Sequence, residues 1–144
     1  MKTPENASTE LKTFLEDARR VANESGVLLP EPPYRFGLDH CWSCHREFLV
    51  FAWPSNGPWS TAEPPAEGRP ATIAEVFGET VGYSYWSNTC PFCGERTGDY
   101  FLYFKPTGPF FSIEGDFRED TEESYTADME AIAAWHRNPS RAEG

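Results

Sequence analysis

Two stretches decide how this chain folds: residues 39–53, DHCWSCHREFLVFAW, and residues 83–105, YSYWSNTCPFCGERTGDYFLYFK. Each carries a Cys-x-x-Cys pair between apolar runs, Cys41 with Cys44 and Cys90 with Cys93, and the chain has 4 cysteines in all. A tight turn with two intervening residues brings two thiolates onto one metal ion. Two such turns complete a Zn(II) tetrahedron with sulfur about 2.3 Å from the metal. Gly94, directly after Cys93, suits such a turn, where a permissive backbone lets amide N–H groups face sulfur. The spacing assigns one structural Zn(II) to Cys41, Cys44, Cys90 and Cys93. Four thiolates close the coordination sphere and leave no position for water, so a catalytic zinc is disfavoured.

The flanking runs read as strands. In REFLVFAW, residues 46–53, apolar side chains fall on both alternating faces, the pattern of a strand covered on both sides. VGYSYWSNT, residues 81–89, precedes the second pair, and DYFLYFK, residues 99–105, follows it as an apolar run. Strand, turn, strand thus occurs twice. CWSC before a strand and YWSNTCPFCG before GDYFLYF resemble a zinc ribbon with two rubredoxin-type knuckles, over residues 34–105. The resemblance implies the same four zinc ligands and allows nucleic-acid or protein binding, since fold does not fix function. The spacer departs from it: 45 residues separate Cys44 from Cys90, against about 15 to 20 in compact ribbons. The stretch 54–70, PSNGPWSTAEPPAEGRP, and residues 71–80 are therefore an insertion. Five prolines in 54–70 exclude a regular element there. TIAEVFGE, residues 72–79, fits a helix or a strand equally.

Outside the ribbon, Leu11, Phe14, Leu15, Ala18, Val21 and Ala22 recur at helical spacing from Thr9 to Ser25, with Ser8 or Thr9 as N-cap and Gly26 as the stop. GPFFSIEGDF, residues 108–117, suggests a further strand. DTEESYTADMEAIAAWHR, residues 120–137, reads as a helix with Tyr125, Met129, Ile132 and Ala133 on one face and acids at its start. Residues 138–144 have nothing to bury and read as frayed. The fold expected is α+β: an antiparallel zinc-ribbon sheet of two hairpins with an insertion, flanked by N-terminal and C-terminal helices. All of it belongs to a single domain, 1–144, with the helix in 1–29, the ribbon core in 34–105 and an acidic strand and helix in 106–144.

Composition narrows the function. The net charge of -11 disfavours broad contact with a phosphate backbone, and the charge is uneven: the segment 106–144 contributes more than half of it, while 81–105 balances to zero. Glu119, Asp120, Glu122 and Glu123 lie in an acidic section that also holds Glu114, Asp116, Asp128 and Glu130, broken by Arg118 alone. That section is either a solvated face or a surface for a basic partner. Trp59, inside the Pro-rich stretch, is a candidate anchor for a partner or a packing residue. Tyr83, Tyr85, Trp86, Tyr100 and Tyr103 fit a sheet core better than a base-stacking platform. His40 and His45 adjoin the first pair without being needed as ligands, and Arg46 and Arg96 are placed to offset a tetrathiolate charge of about -2. His136 falls near a helix C-terminus, where a positive charge is favourable. No apolar stretch is long enough to span a bilayer, and no hydrolase, nucleotide-loop or calcium-loop pattern occurs. CPFC also resembles the motif of thiol-disulfide oxidoreductases, but there a helix follows the motif, whereas GERTGDYFLYF reads as turn and strand. The reading that results is a cytoplasmic, non-enzymatic zinc protein acting through protein contacts as an adaptor or inhibitor. Immunity or anti-defence action against a basic partner is one form of it. A nucleic-acid-binding ribbon is the alternative, and a thiol-disulfide oxidoreductase the weaker one.

Overall fold

The computed structural model describes residues 8–55, 62–80, 82–98, 100–113 and 119–138; Trp59, Glu114, Asp116, Arg118 and residues 139–144 lie outside them. Helix α1 (Thr9–Ser25) forms where the apolar stripe places it. Leu11, Phe14, Leu15, Ala18, Val21 and Ala22 are all buried, the Ser8 hydroxyl accepts from the Leu11 N–H at 3.1 Å, and Gly26 closes the helix in the left-handed region at φ 71°. Strands β1 (Arg35–His40) and β2 (Glu47–Ala52) make an antiparallel hairpin, with Arg35 opposite Ala52 and His40 opposite Glu47. Every residue of β2 after Glu47 is buried, because α1 packs on β2 while α2 (Glu122–His136) packs on both β1 and α1. The two-sided apolar pattern of β2 follows from that cover.

A second sheet holds β3 (Ile73–Gly78), β4 (Tyr83–Thr89) and β5 (Arg96–Thr97) in the order β3-β4-β5, all antiparallel. The ambiguous stretch 72–79 is thus largely strand, paired in register from Ile73 opposite Asn88 to Gly78 opposite Tyr83. The architecture is α+β, two small antiparallel sheets and two helices among the described residues. The two knuckle-bearing hairpins lie in separate sheets rather than in one. No helix among the described residues is long and apolar enough to cross a membrane.

Two apolar runs depart from the strands their composition suggests. β5 ends after two residue pairs, and the Gly98 carbonyl then accepts the N–H groups of Phe101 and Leu102 at 3.1 and 3.3 Å, curling the chain into a π-helical turn over Tyr100–Phe104. Leu102 and Tyr103 are adjacent and both buried, which a turn permits and the alternation of a half-buried strand does not. The Phe110 N–H returns to the Leu102 carbonyl at 2.8 Å, and a 3-10 turn follows over Phe111–Ile113. Gly108 makes this return feasible, since a Cβ there would stand 2.5 Å from the Phe101 carbonyl oxygen and 2.6 Å from that of Leu102.

Arg35 fastens α2 to the sheet. Its side chain is fully buried, with Nε donating to Asp128 Oδ2 at 2.9 Å, Nη1 to the Pro33 carbonyl at 2.8 Å, and Nη2 to the Glu119 carbonyl at 2.8 Å and Ser124 Oγ at 3.0 Å. Asp128 is therefore no solvated acid, and Glu130 likewise turns inward to accept the hydroxyl and N–H of Ser8 at the start of α1. The described part of the Pro-rich insertion folds back over the hairpins. Trp53 Nε1 donates to the Ala62 carbonyl at 3.0 Å, the Tyr34 hydroxyl donates to the Pro65 carbonyl, and the Arg69 guanidinium lies 4.6 Å over the Trp86 ring.

Candidate metal centre

Each Cys-x-x-Cys pair occupies the turn of a hairpin, and the two turns share one hydrogen-bond scheme. In the first, the Cys41 N–H donates to the Arg46 carbonyl at 2.9 Å, the His45 N–H to the Cys41 carbonyl at 2.8 Å, and the Ser43 N–H to Cys41 Sγ at 3.4 Å. In the second, the Cys90 N–H donates to the Glu95 carbonyl at 2.8 Å, the Gly94 N–H to the Cys90 carbonyl at 2.9 Å, and the Phe92 N–H to Cys90 Sγ at 3.4 Å. Amide dipoles aimed at sulfur favour thiolate. The fifth residue of each turn is left-handed, Gly94 at φ 81° and His45 at φ 65°.

The turns face each other. All four sulfurs lie within 4.8 Å of one another, and two contacts cross between the knuckles, Cys41 to Cys93 at 3.5 Å and Cys44 to Cys90 at 3.7 Å. A tetrahedron with bonds of about 2.3 Å has edges of about 3.8 Å, so the sulfurs are spaced to hold a single metal ion. Bound there, the ion would stabilise four thiolates and clamp one hairpin to the other. The thiols do not ionise independently. Burial pushes the Cys41 thiol up, but the N–H groups of Cys44 and Ser43 and the neighbouring sulfurs outweigh it and hold Cys41 down at about 7. Cys93 is pulled down by the Glu95 N–H, yet burial and the three surrounding sulfurs drive it up to about 12, and burial chiefly raises Cys90. Cys41 thus loses its proton more readily than Cys90 or Cys93; a cation among the sulfurs would favour the thiolate form.

Side chains around the centre also cross between hairpins. Trp42 Nε1 donates to the Arg96 carbonyl at 3.1 Å, and the Arg46 guanidinium sits 3.6 Å from the centroid of the Phe92 ring. Arg96 donates to the Phe77 carbonyl at 3.3 Å. His40 and His45 are exposed and are not part of the four-sulfur cluster. His136 ends α2, edge-on to Phe14 with ring centroids 5.3 Å apart and 3.8 Å from Asp17. Of the aromatic group around the second knuckle, Tyr103 is core and Trp86 is half-buried beneath Arg69, while Tyr83 and Tyr100 are exposed. CPFC is followed by β5 and not by a helix, so no helix N-terminus lowers those thiols.

Glu119, Asp120, Glu122 and Glu123 are all exposed, at the turn before α2 and its first residues. The residue that sequence reasoning misses is Asn88. Its buried side chain accepts the Phe51 N–H at 2.8 Å and donates to the Phe51 carbonyl at 3.1 Å, pairing with β2 as a strand would. The signal was an amide inside the strand, two residues before Cys90. No protein-family model, curated protein or solved structure matches the chain.

Proposed function

We propose that the chain is a non-enzymatic zinc-binding protein that acts through protein contacts, as an adaptor or inhibitor of a basic partner. The observation that carries this reading is the closed set of four sulfurs, spaced for one ion and bridging two hairpins. Cys41, Cys44, Cys90 and Cys93 would hold Zn(II), which supplies cross-linking and charge compensation and leaves no coordination position for a substrate. The partner surface is the exposed acidic start of α2, with Glu119, Asp120, Glu122 and Glu123; Asp128 and Glu130 are already engaged within the fold. A negative surface steers a basic protein and raises its on-rate.

Native mass spectrometry of the tagged chain purified from its own host tests both halves together. The expected result is one zinc per chain and a bound basic protein that is lost when the four surface acids are changed to Gln. Unchanged capture by that variant defeats the acidic-surface half. A folded, partner-binding chain without cysteines defeats the zinc half.

A further inference from the structure

A cleft of about 520 Å³ opens between the first knuckle and the π-helical turn, reaching His136 and Asn138, a size common for small-ligand sites. Its walls include Trp42 and Phe101, residues that are 57% and 46% exposed. Trp42 is not a loose ring, because its indole N–H is held by the Arg96 carbonyl. An aromatic face fixed in advance binds at lower entropic cost. The second knuckle differs: Pro91 and Gly94 stand where the first has Trp42 and His45, and its own ring, Phe92, is already covered by Arg46.

We propose that this cleft binds the cationic tip of an arginine or lysine side chain from a partner protein. Charge favours a cation. With histidine counted as neutral, the charged groups of the lining are two carboxylates, Asp39 and Glu47, and one ammonium, Lys105, beside the imidazoles of His40, His45 and His136; Asp39 Oδ1 also accepts the His40 N–H at 2.9 Å. Glu47 is shared with Arg20 at 3.1 Å, but Cys41 also lines the cleft, and a zinc tetrathiolate there adds a charge of about -2. The chain as a whole carries -11. Aromatic faces, Trp best of all, attract cations, and Lys105 already does this internally, its Nζ 5.6 Å from the Phe101 centroid. The proposal rests on the reading of a basic protein partner and names the group such a partner would insert.

The test is an NMR titration of the zinc-loaded full chain with N-acetyl-arginine amide and its neutral isostere N-acetyl-citrulline amide. It follows the Trp42 indole N–H, assigned with Trp42→Phe. The arginine probe should saturate that resonance and bind about fivefold tighter than the citrulline probe, and its binding should weaken between about 20 and 300 mM salt. Trp42→Leu, followed on the backbone N–H resonances of His40 and His45 instead, should lose about fivefold, with partial recovery in Trp42→Phe. Asp39→Asn should lose about threefold, and Lys105→Gln should gain about threefold. No shift at Trp42, equal binding of the two probes, or weaker binding in Lys105→Gln overturns the proposal. The gain in Lys105→Gln cannot arise from misfolding, and zinc content checks the other variants. Because the probe is one residue, its result is separate from partner capture. Probe binding without any protein partner leaves the cleft standing and defeats the protein-contact reading, while the reverse defeats the cleft.

Discussion

The two knuckles have the same backbone and different surroundings. Both close six-residue turns with the same N–H to carbonyl and N–H to sulfur bonds, so the ligand geometry is a property of the main chain. The first knuckle tops a six-pair hairpin buried under two helices; the second joins β4 to β5 through only two pairs. The difference teaches that the first half of the centre is held by the core, whereas the second has two strand pairs and a few side-chain bonds and would lean on a bound ion for the rest.

Removing the metal should break that comparison most sharply. Structural zinc contributes about 10 to 16 kcal/mol of apparent binding energy in small zinc modules, far more than two strand pairs can. With a chelator, or in Cys90→Ser, hydrogen exchange should rise strongly over 83–97 and little over 35–52. Equal loss in both hairpins would show that they depend on the metal alike. Next in size is Arg35→Met, which strands Asp128 in a buried site and should cost about 3 to 5 kcal/mol. Thermal unfolding should report that loss while metal stoichiometry stays at one per chain. Asn88→Ala leaves the Phe51 N–H and carbonyl without their partner and should cost about 3 kcal/mol. Unlike Arg35→Met, it should also weaken metal affinity, because Asn88 joins the sheet carrying Cys90 to the one carrying Cys44. The smallest effect concerns the left-handed position. Gly94→His should cost about 1 to 2 kcal/mol, whereas His45→Gly relieves similar strain but loosens the unfolded chain and should be close to neutral. Denaturant midpoints of the two variants measure that asymmetry.

Much of this was legible where the signal is local. The stripe in α1 and the Gly26 stop agree with the structure residue for residue, and Ser8 is the one of two candidate caps that is used, because a helix facing a core must repeat every three or four residues. The cysteine spacing likewise encodes a turn of fixed size. What sequence could not show depends on distant partners. Asn88 meets Phe51 across 37 residues and Arg35 meets Asp128 across 93, so each looks like a polar interruption in an apolar strand. The run YFLYF has the composition of a strand, yet its Phe101 and Leu102 N–H groups turn back to the Gly98 carbonyl and Gly108 packs closely against it. The acidic section reads as uniform, yet Asp128 and Glu130 are engaged within the fold and the acids at the start of α2 are exposed.

The Asn88 amide has one further consequence, for solubility. Both polar groups of the Phe51 backbone are taken by that side chain, so they point away from β1 and β2 offers no vacant rung there for a foreign strand. Unpaired edges are where apolar hairpins stack into aggregates, and β2 is among the most apolar segments of the chain. A single carboxamide thus works as an edge guard, and its loss should appear in the cell as insolubility before it appears as lost binding.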